Sequence, residues 1–204
     1  MGSNLSFDMS HKALSIPSDF SLSLAGIRLE LLTLTHEADL IMACQDGKLW
    51  ELPYTSTPTV EGVHDYILKA HSMSDRVAFA VIDEASGKAI GTTSFHDILP
   101  APKRLEIGYT WYAQSHWRSH VNTACKLMLL TYAFETLHYQ TIGWRTDILN
   151  TRSQQAIERL GAKKDGTIRG NRLNKDGMIS DTMMYSMSAE VWQTIKPNLT
   201  KKLG

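Results

Sequence analysis

Charge of one sign is what this sequence lacks first: 21 Lys and Arg balance 21 Asp and Glu over 204 residues. No bulk field is available to gather a polyanion or an anionic membrane surface, so neither nucleic acid nor a membrane is an expected partner. An anion site, if there is one, must be local. Cysteine is scarce as well. Cys44 and Cys125 stand far apart without CxxC or Cys/His ligand spacing, which argues against a disulfide scaffold and a structural zinc, and no metal is expected. Apolar runs fall short of the ~18 to 20 residues that cross a bilayer, and no basic segment leads into an apolar one at the start, so a cytoplasmic protein is the expectation.

What is present suits one domain with a sizeable core. The Ser-rich, weakly periodic stretch 1–25 reads as a flexible extension, the fold as residues 26–190, and 191–204 as a C-terminal tail. "IRLELL" reads as a strand, and "THEADLIMACQDGKLWEL" as a helix with Thr35 as cap, Glu37 and Asp39 in its first turn and an end near Gly47. The loop around Pro53 and Pro58 precedes a second helix over Val60 to His71. In "RVAFAVIDEASGKAIGTTSF" the alternation around a turn predicts a hairpin, and "RLEIGYTWYA" is another strand after the proline-marked loop "LPAPK". A helix from Asn122 to about Leu137, the strand "QTIGWRTD", a short helix capped by Asn150 or Thr151 and stopped at Gly161, and two strands around Lys175-Asp176-Gly177 complete the chain.

Between the strand ending near Tyr112 and the helix beginning at Asn122 lies a polar elbow, "AQSHWRSHVN". A loop that opens a helix leaves several N–H groups unpaired along the axis, and these with the helix dipole favour a phosphate or diphosphate. Arg118 can add charge there, and His116 and His120 can add donors. The helix that follows carries Leu127, Met128, Leu129 and Leu130 in a row and must be central. Cys125 in its second turn reads as a small buried hydrophobe rather than a nucleophile.

The element order, the elbow and the segment "NTRSQQAIERLGA" resemble the GNAT acetyltransferases, in particular the branch similar to ribosomal-protein N-terminal acetyltransferases (RimL-like). The resemblance covers roughly residues 26 to 190. It implies a GNAT fold of the α+β class, layered like an α/β protein, with a mixed central sheet of about seven strands flanked by about four helices. The family pattern Gln-Gly-x-Gly-x-Ala falls on Trp117, Arg118, Ser119, His120, Val121 and Asn122, with Arg118, His120 and Asn122 standing where small residues are usual.

By that resemblance the chain is an N-acetyltransferase whose acetyl-CoA is attacked directly by a primary amine, either a protein N-terminus or a small molecule. The segment Trp117 to Thr123, with Asn150 and Ser153, would bind acetyl-CoA. Trp111 and Tyr112 lie where the family splays two parallel strands and the pantetheine arm pairs with the backbone; their side chains can equally be core aromatics. Glu106 is the base candidate or, alternatively, a cross-strand ion-pair partner of Arg104 or of a residue on the other strand. Ser153 can donate to the departing thiolate or satisfy a backbone amide, and Asn150 can contact pantetheine while capping its helix. Trp50 and Tyr54 on a loop and His96 at a strand end border the implied acceptor pocket; packing for Trp50 and an ordinary surface hydrogen bond for His96 are the competing readings. The alternative function is a non-catalytic acyl-CoA-binding or protein-interaction module on the same fold. The β-rich C-terminal hairpin is a candidate surface for a homodimer.

Overall fold

The computed structural model describes residues 12–52 and 54–203; expectations for residues 1–11 and for Pro53 lie outside it. Within those residues the strands are β1 (Ser21–Leu24), β2 (Ile27–Leu31), β3 (Val77–Asp83), β4 (Lys88–Leu99), β5 (Arg104–Tyr112), β6 (Thr141–Asp147), β7 (Lys163–Leu173) and β8 (Ile179–Ser188). The helices are α1 (Glu37–Gln45), α2 (Val63–Ser72), α3 (Val121–Thr131), α4 (Thr151–Arg159) and α5 (Ala189–Lys201). All eight strands form one sheet in the order β1-β2-β3-β4-β5-β6-β8-β7. Every neighbouring pair is antiparallel except β5 and β6, which run parallel.

Alternation along the strands divides the core between the two sheet faces. On one face Leu29, Phe79, Phe95, Leu105, Ile107 and Ile142 meet α3, Ile157 of α4 and Trp192 of α5. On the other, Ala80, Ile82, Ala89 and Trp111 meet Leu40, Ala43 and Cys44 of α1 and Val63 and Ile67 of α2. As its unbroken apolar run requires, α3 is buried from Ala124 to Leu130. It passes into a π turn, Tyr132–Thr136, before β6.

Several expectations are corrected. The sheet has eight strands rather than about seven, and five helices flank it rather than about four. The extra strand comes from the stretch assigned to a flexible extension: "SLSL" alternates, and a two-residue turn at Ala25 (φ 52) and Gly26 (φ 76) folds it onto β2. Positive φ at both turn residues matches the twist of a tight hairpin. Leu14, Ile16 and Phe20 are buried, and Lys12 Nζ donates to the carbonyls of Ala70, His71 and Met73 at the C-terminal end of α2. Serine content hid this segment because four residues are too few for a clear period.

The described residues 191–203 of the expected tail are likewise no tail, most of them lying in α5; Gly204 lies outside the described residues. Ser188 caps α5 by accepting from the Val191 amide at 3.3 Å, and fully buried Trp192 stacks on Phe134 at 5.7 Å while its Nε1–H donates to Glu135. Thr35 is not the cap expected ahead of α1; Thr33 opens that turn, its N–H donating to His36 Nδ1 at 3.0 Å.

Phe20 tests the N-terminal segment, since its ring meets Phe79 at 5.1 Å and Tyr132 at 5.0 Å. Phe20→Ala should cost about 3 kcal/mol in urea unfolding; a loss below about 1 kcal/mol would mean that the segment is peripheral to stability.

Candidate functional site

The site begins where the sheet comes apart. β5 pairs with β6 only through Arg104, Leu105 and Glu106 opposite Thr141, Ile142 and Gly143. Beyond Glu106, β5 continues to Tyr112 on β4, while β6 continues to Asp147 on β8. The edges of 107–112 and 144–147 that face each other therefore carry no ladder. A bulge accounts for the divergence: Thr92 pairs with Trp111 but Ser94 with Gly108, so Tyr109 and Thr110 stand opposite Thr93 alone. Extra residues bend and twist a strand away from its neighbour.

Tyr109 holds φ 50, an uncommon conformation for a bulky residue. Contacts on both faces fix it. Its ring lies 3.7 Å from the guanidinium carbon of Arg76 and 5.1 Å from the His96 ring, and its carbonyl accepts from the Thr92 hydroxyl at 3.2 Å. From the opposite face Lys126 Nζ donates to the Thr110 hydroxyl at 2.8 Å. Gly108 is required there, because a Cβ would collide with the imidazole of His96. Burial holds Lys126 down to about 8 and pushes the Cys125 thiol up to about 12, so Cys125 is an inert core residue.

The elbow forms one bank of the opening. Arg118 has φ 58 and His120 caps α3. The amides of Arg118, Ser119, His120, Asn122 and Thr123 have no protein partner among the described residues, whereas that of Val121 donates to Ser119 Oγ at 3.3 Å. Most side chains here are turned to other tasks. His120 Nε2–H donates to the Ala25 carbonyl at 3.0 Å, Ser119 Oγ–H to the His116 carbonyl at 2.6 Å, Trp117 Nε1–H to the Tyr112 carbonyl at 2.9 Å, and the Tyr112 hydroxyl to Asn122 Oδ1 at 3.4 Å. What remains for an anion is backbone, with exposed Arg118 beside it.

The other bank is the start of α4. Asn150 Oδ1 accepts the Ser153 amide at 3.0 Å, which makes Asn150 the cap and leaves the Ser153 hydroxyl without a protein partner among the described residues. Arg152 reaches across to the elbow, its guanidinium carbon 3.7 Å over the Trp117 ring. Trp111 and Tyr112 both bury their side chains, Trp111 against Tyr66 and Tyr112 among the residues beneath α3. Only their main chain can face the opening.

Below the opening, on the α1 and α2 face, Glu106 is 3% exposed and its Oε2 accepts from Arg145 Nε at 2.7 Å, with Arg104 3.6 Å from Oε1. Burial raises the Glu106 carboxyl and Arg104 opposes that rise. Arg145 also pairs with Asp97. His96 lies opposite Glu106 in the register and is buried; burial first and Arg145 second push its imidazole down to about 3. His96, Asp97 and Glu106 bring ligand atoms within 4.8 Å of one another, yet the Arg145 guanidinium already supplies the positive charge between Glu106 and Asp97. Trp50 is half-buried in the α1 and α2 core, and its carbonyl accepts from Lys175; the Tyr54 carbonyl accepts from Arg172. The tip of the β7–β8 hairpin is thus tied to the loop after α1.

Residues 27–163 match the family described as the acetyltransferase (GNAT) domain. The chain belongs to this family. Among curated relatives, a candidate ribosomal N-acetyltransferase, YdaF of Bacillus subtilis (strain 168), is 31% identical over 107 residues, which cover 52% of this chain and 57% of YdaF. The chain thus spans little more than half the length of such relatives. A solved GCN5-related N-acetyltransferase from Brucella melitensis superposes with a TM-score of 0.82 at 27% identity, covering 92% of this chain and 87% of that one. RimJ of Mycobacterium smegmatis, solved with CoA-disulfide, shares the fold at a TM-score of 0.73 and 17% identity, covering 87% and 90%.

On this GNAT frame the structure gathers Trp117 to Thr123, Asn150 and Ser153 around one opening, with Glu106 below it. One expectation changes. His96 is a buried neutral imidazole rather than a surface residue, because Gly108 leaves room for its ring. Of the two kinds of ion-pair partner expected for Glu106, the residue on another strand, Arg145 of β6, is the nearer at 2.7 Å, and Arg104 lies at 3.6 Å. Arg76, Lys126, Arg145 and Arg152 were not singled out from sequence. Lys126 had a signal, a lone charge inside an apolar helix; the others are arginines in ordinary polar positions.

His96 gives a pH test. Its unfolded pKa is ~6.5 and its folded one about 3, so the unfolded chain binds the extra proton. The contribution is complete above the unfolded value and is lost as pH falls towards the folded one, at up to about 1.4 kcal/mol per pH unit. Urea unfolding between pH 7 and 4.5 should fall more steeply for the wild type than for His96→Gln; equal slopes would refute the buried neutral ring.

Proposed function

We propose that this GNAT chain transfers the acetyl group of acetyl-CoA to a primary amine. The observation that carries the reading is the three-residue pairing of β5 with β6, which leaves a strand edge unpaired between the N-terminal ends of α3 and α4. An extended pantetheine arm can add to that edge as a strand would, and the elbow amides can take the diphosphate.

In this mechanism the amine nitrogen attacks the thioester carbonyl carbon; the C–N bond forms, the C–S bond breaks, and the electron pair leaves on sulfur. The amine proton passes to Glu106 through water, and the Ser153 hydroxyl donates to the departing thiolate. Partial exposure of Arg145 and Arg104 gives water a route to Glu106. The loop carrying Trp50 and Tyr54 and the buried His96 border the acceptor. One curated relative, YdaF, is named for ribosomal N-acetylation, which supports a protein N-terminus as acceptor, and a small amine fits the same chemistry.

Acetyl-CoA at 100 times its dissociation constant should add about 2.7 kcal/mol to stability, and the thiol released on mixing with N-terminal peptides or small amines measures transfer. No stabilisation at millimolar acetyl-CoA would remove the reading, while stabilisation without turnover on peptides or amines would favour a binding module instead. Glu106→Gln should lower kcat by about 100-fold with acetyl-CoA affinity within about twofold; unchanged kcat would discard Glu106 as base. Ser153→Ala should slow transfer by about tenfold, whereas Asn150→Ala should cost about 1 kcal/mol of stability through the lost cap. Equal turnover for Ser153→Ala would return Ser153 to a purely local role.

A further inference from the structure

The contact between Trp117 and Arg152 spans the two banks of the opening, and nothing in the local fold requires it. Trp117 belongs to the elbow that follows β5; Arg152 is the second residue of α4, which follows β6. The indole is fixed by its own hydrogen bond to the Tyr112 carbonyl. The guanidinium lies over its face at 3.7 Å and has no carboxylate or carbonyl partner among the described residues. An arginine stacked in this way spends its π face and keeps its in-plane N–H fork, so its donors are held in place but unspent. Desolvation at the stack lowers its basicity, which Tyr54 partly opposes, and the exposed guanidinium stays charged at neutral pH.

Position along the opening selects the ligand group. The amides of Arg118, Ser119, His120, Asn122 and Thr123, unpartnered among the described residues, lie on the same bank as Trp117, so the stacked guanidinium faces the mouth of the gap rather than the Glu106 end. Of the anionic groups of acetyl-CoA, the diphosphate adjoins the pantetheine arm, whereas the 3′-phosphate hangs from the ribose further out.

We infer that Arg152, held on the face of Trp117, is a ligand of the acetyl-CoA diphosphate and clamps it against the elbow from the α4 side. The inference rests on the acetyl-CoA reading above. It compensates for side chains at the elbow that are committed elsewhere, His120 to Ala25 and Asn122 to Tyr112.

Calorimetric titration of the full chain with acetyl-CoA and with 3′-dephospho-CoA separates the possibilities. Arg152→Met keeps an apolar cover on the indole and removes the fork. It should weaken both ligands by the same factor, about 10- to 50-fold, with the unliganded unfolding midpoint unchanged. Arg152→Lys, which restores charge without the fork, should recover only part of the loss and show the same affinity ratio between the two ligands. Unaltered affinity in Arg152→Met overturns the inference. So does a loss confined to acetyl-CoA, which would move the contact to the 3′-phosphate, or a gain for both ligands, which would make the stack a mere obstruction. If the wild type binds neither ligand, the acetyl-CoA reading itself fails, a result distinct from wild-type binding that Arg152→Met leaves intact.

Discussion

A single irregularity in β5 sets the geometry of this protein. With Tyr109 at φ 50 and two residues opposing one across the β4 ladder, β5 turns off the line that would keep it on β6. Such a conformation survives only where its surroundings over-determine it. Here Arg76 and His96 hold the ring from one face, while Lys126 and Thr93 hold Thr110 from the other. Buried Arg76 and Lys126, one on each side of the sheet and without a carboxylate partner among the described residues, are costly placements. Their common effect is to pin the bulge.

Opening the sheet exposes main-chain groups at its centre, where water would ordinarily be absent. The helices that follow each diverging strand aim their N-terminal ends at the gap, and the Trp117–Arg152 stack joins the two ends. At the closed end of the split, Arg145 lies between Glu106 and Asp97. The Glu106 carboxylate is thus buried but paired, while the guanidinium that pairs it remains partly exposed.

Much of the fold was legible because periodicity is a local property. The β3–β4 hairpin, the apolar α3 and the Asn150 cap each followed from a few neighbouring residues. The misses also have local causes. Four residues of Ser-Leu alternation cannot announce β1, and "SAEVWQTIKPNLT" carries Pro197, which masked α5. Among the candidate site residues, the elbow was nominated because a loop opening a helix leaves donors unpaired, and Ser153 only through the resemblance of its helix start to the family's. Nothing adjacent to Arg145, Arg76 or Arg152 in the chain separates them from surface arginines.

The sequence by itself determined most of the strands and helices, though not β1 or α5, that α3 is central, and that a polar elbow opens it, since each depends on backbone geometry over a turn or two. Tertiary structure alone decided that β5 and β6 part after three residues, that His96 is buried and neutral, and that Glu106 pairs with Arg145. Those outcomes depend on residues 39 positions apart in the pair Glu106–Arg145 and 48 apart in Asp97–Arg145, and the energies of such contacts exist only once packing excludes water from between them.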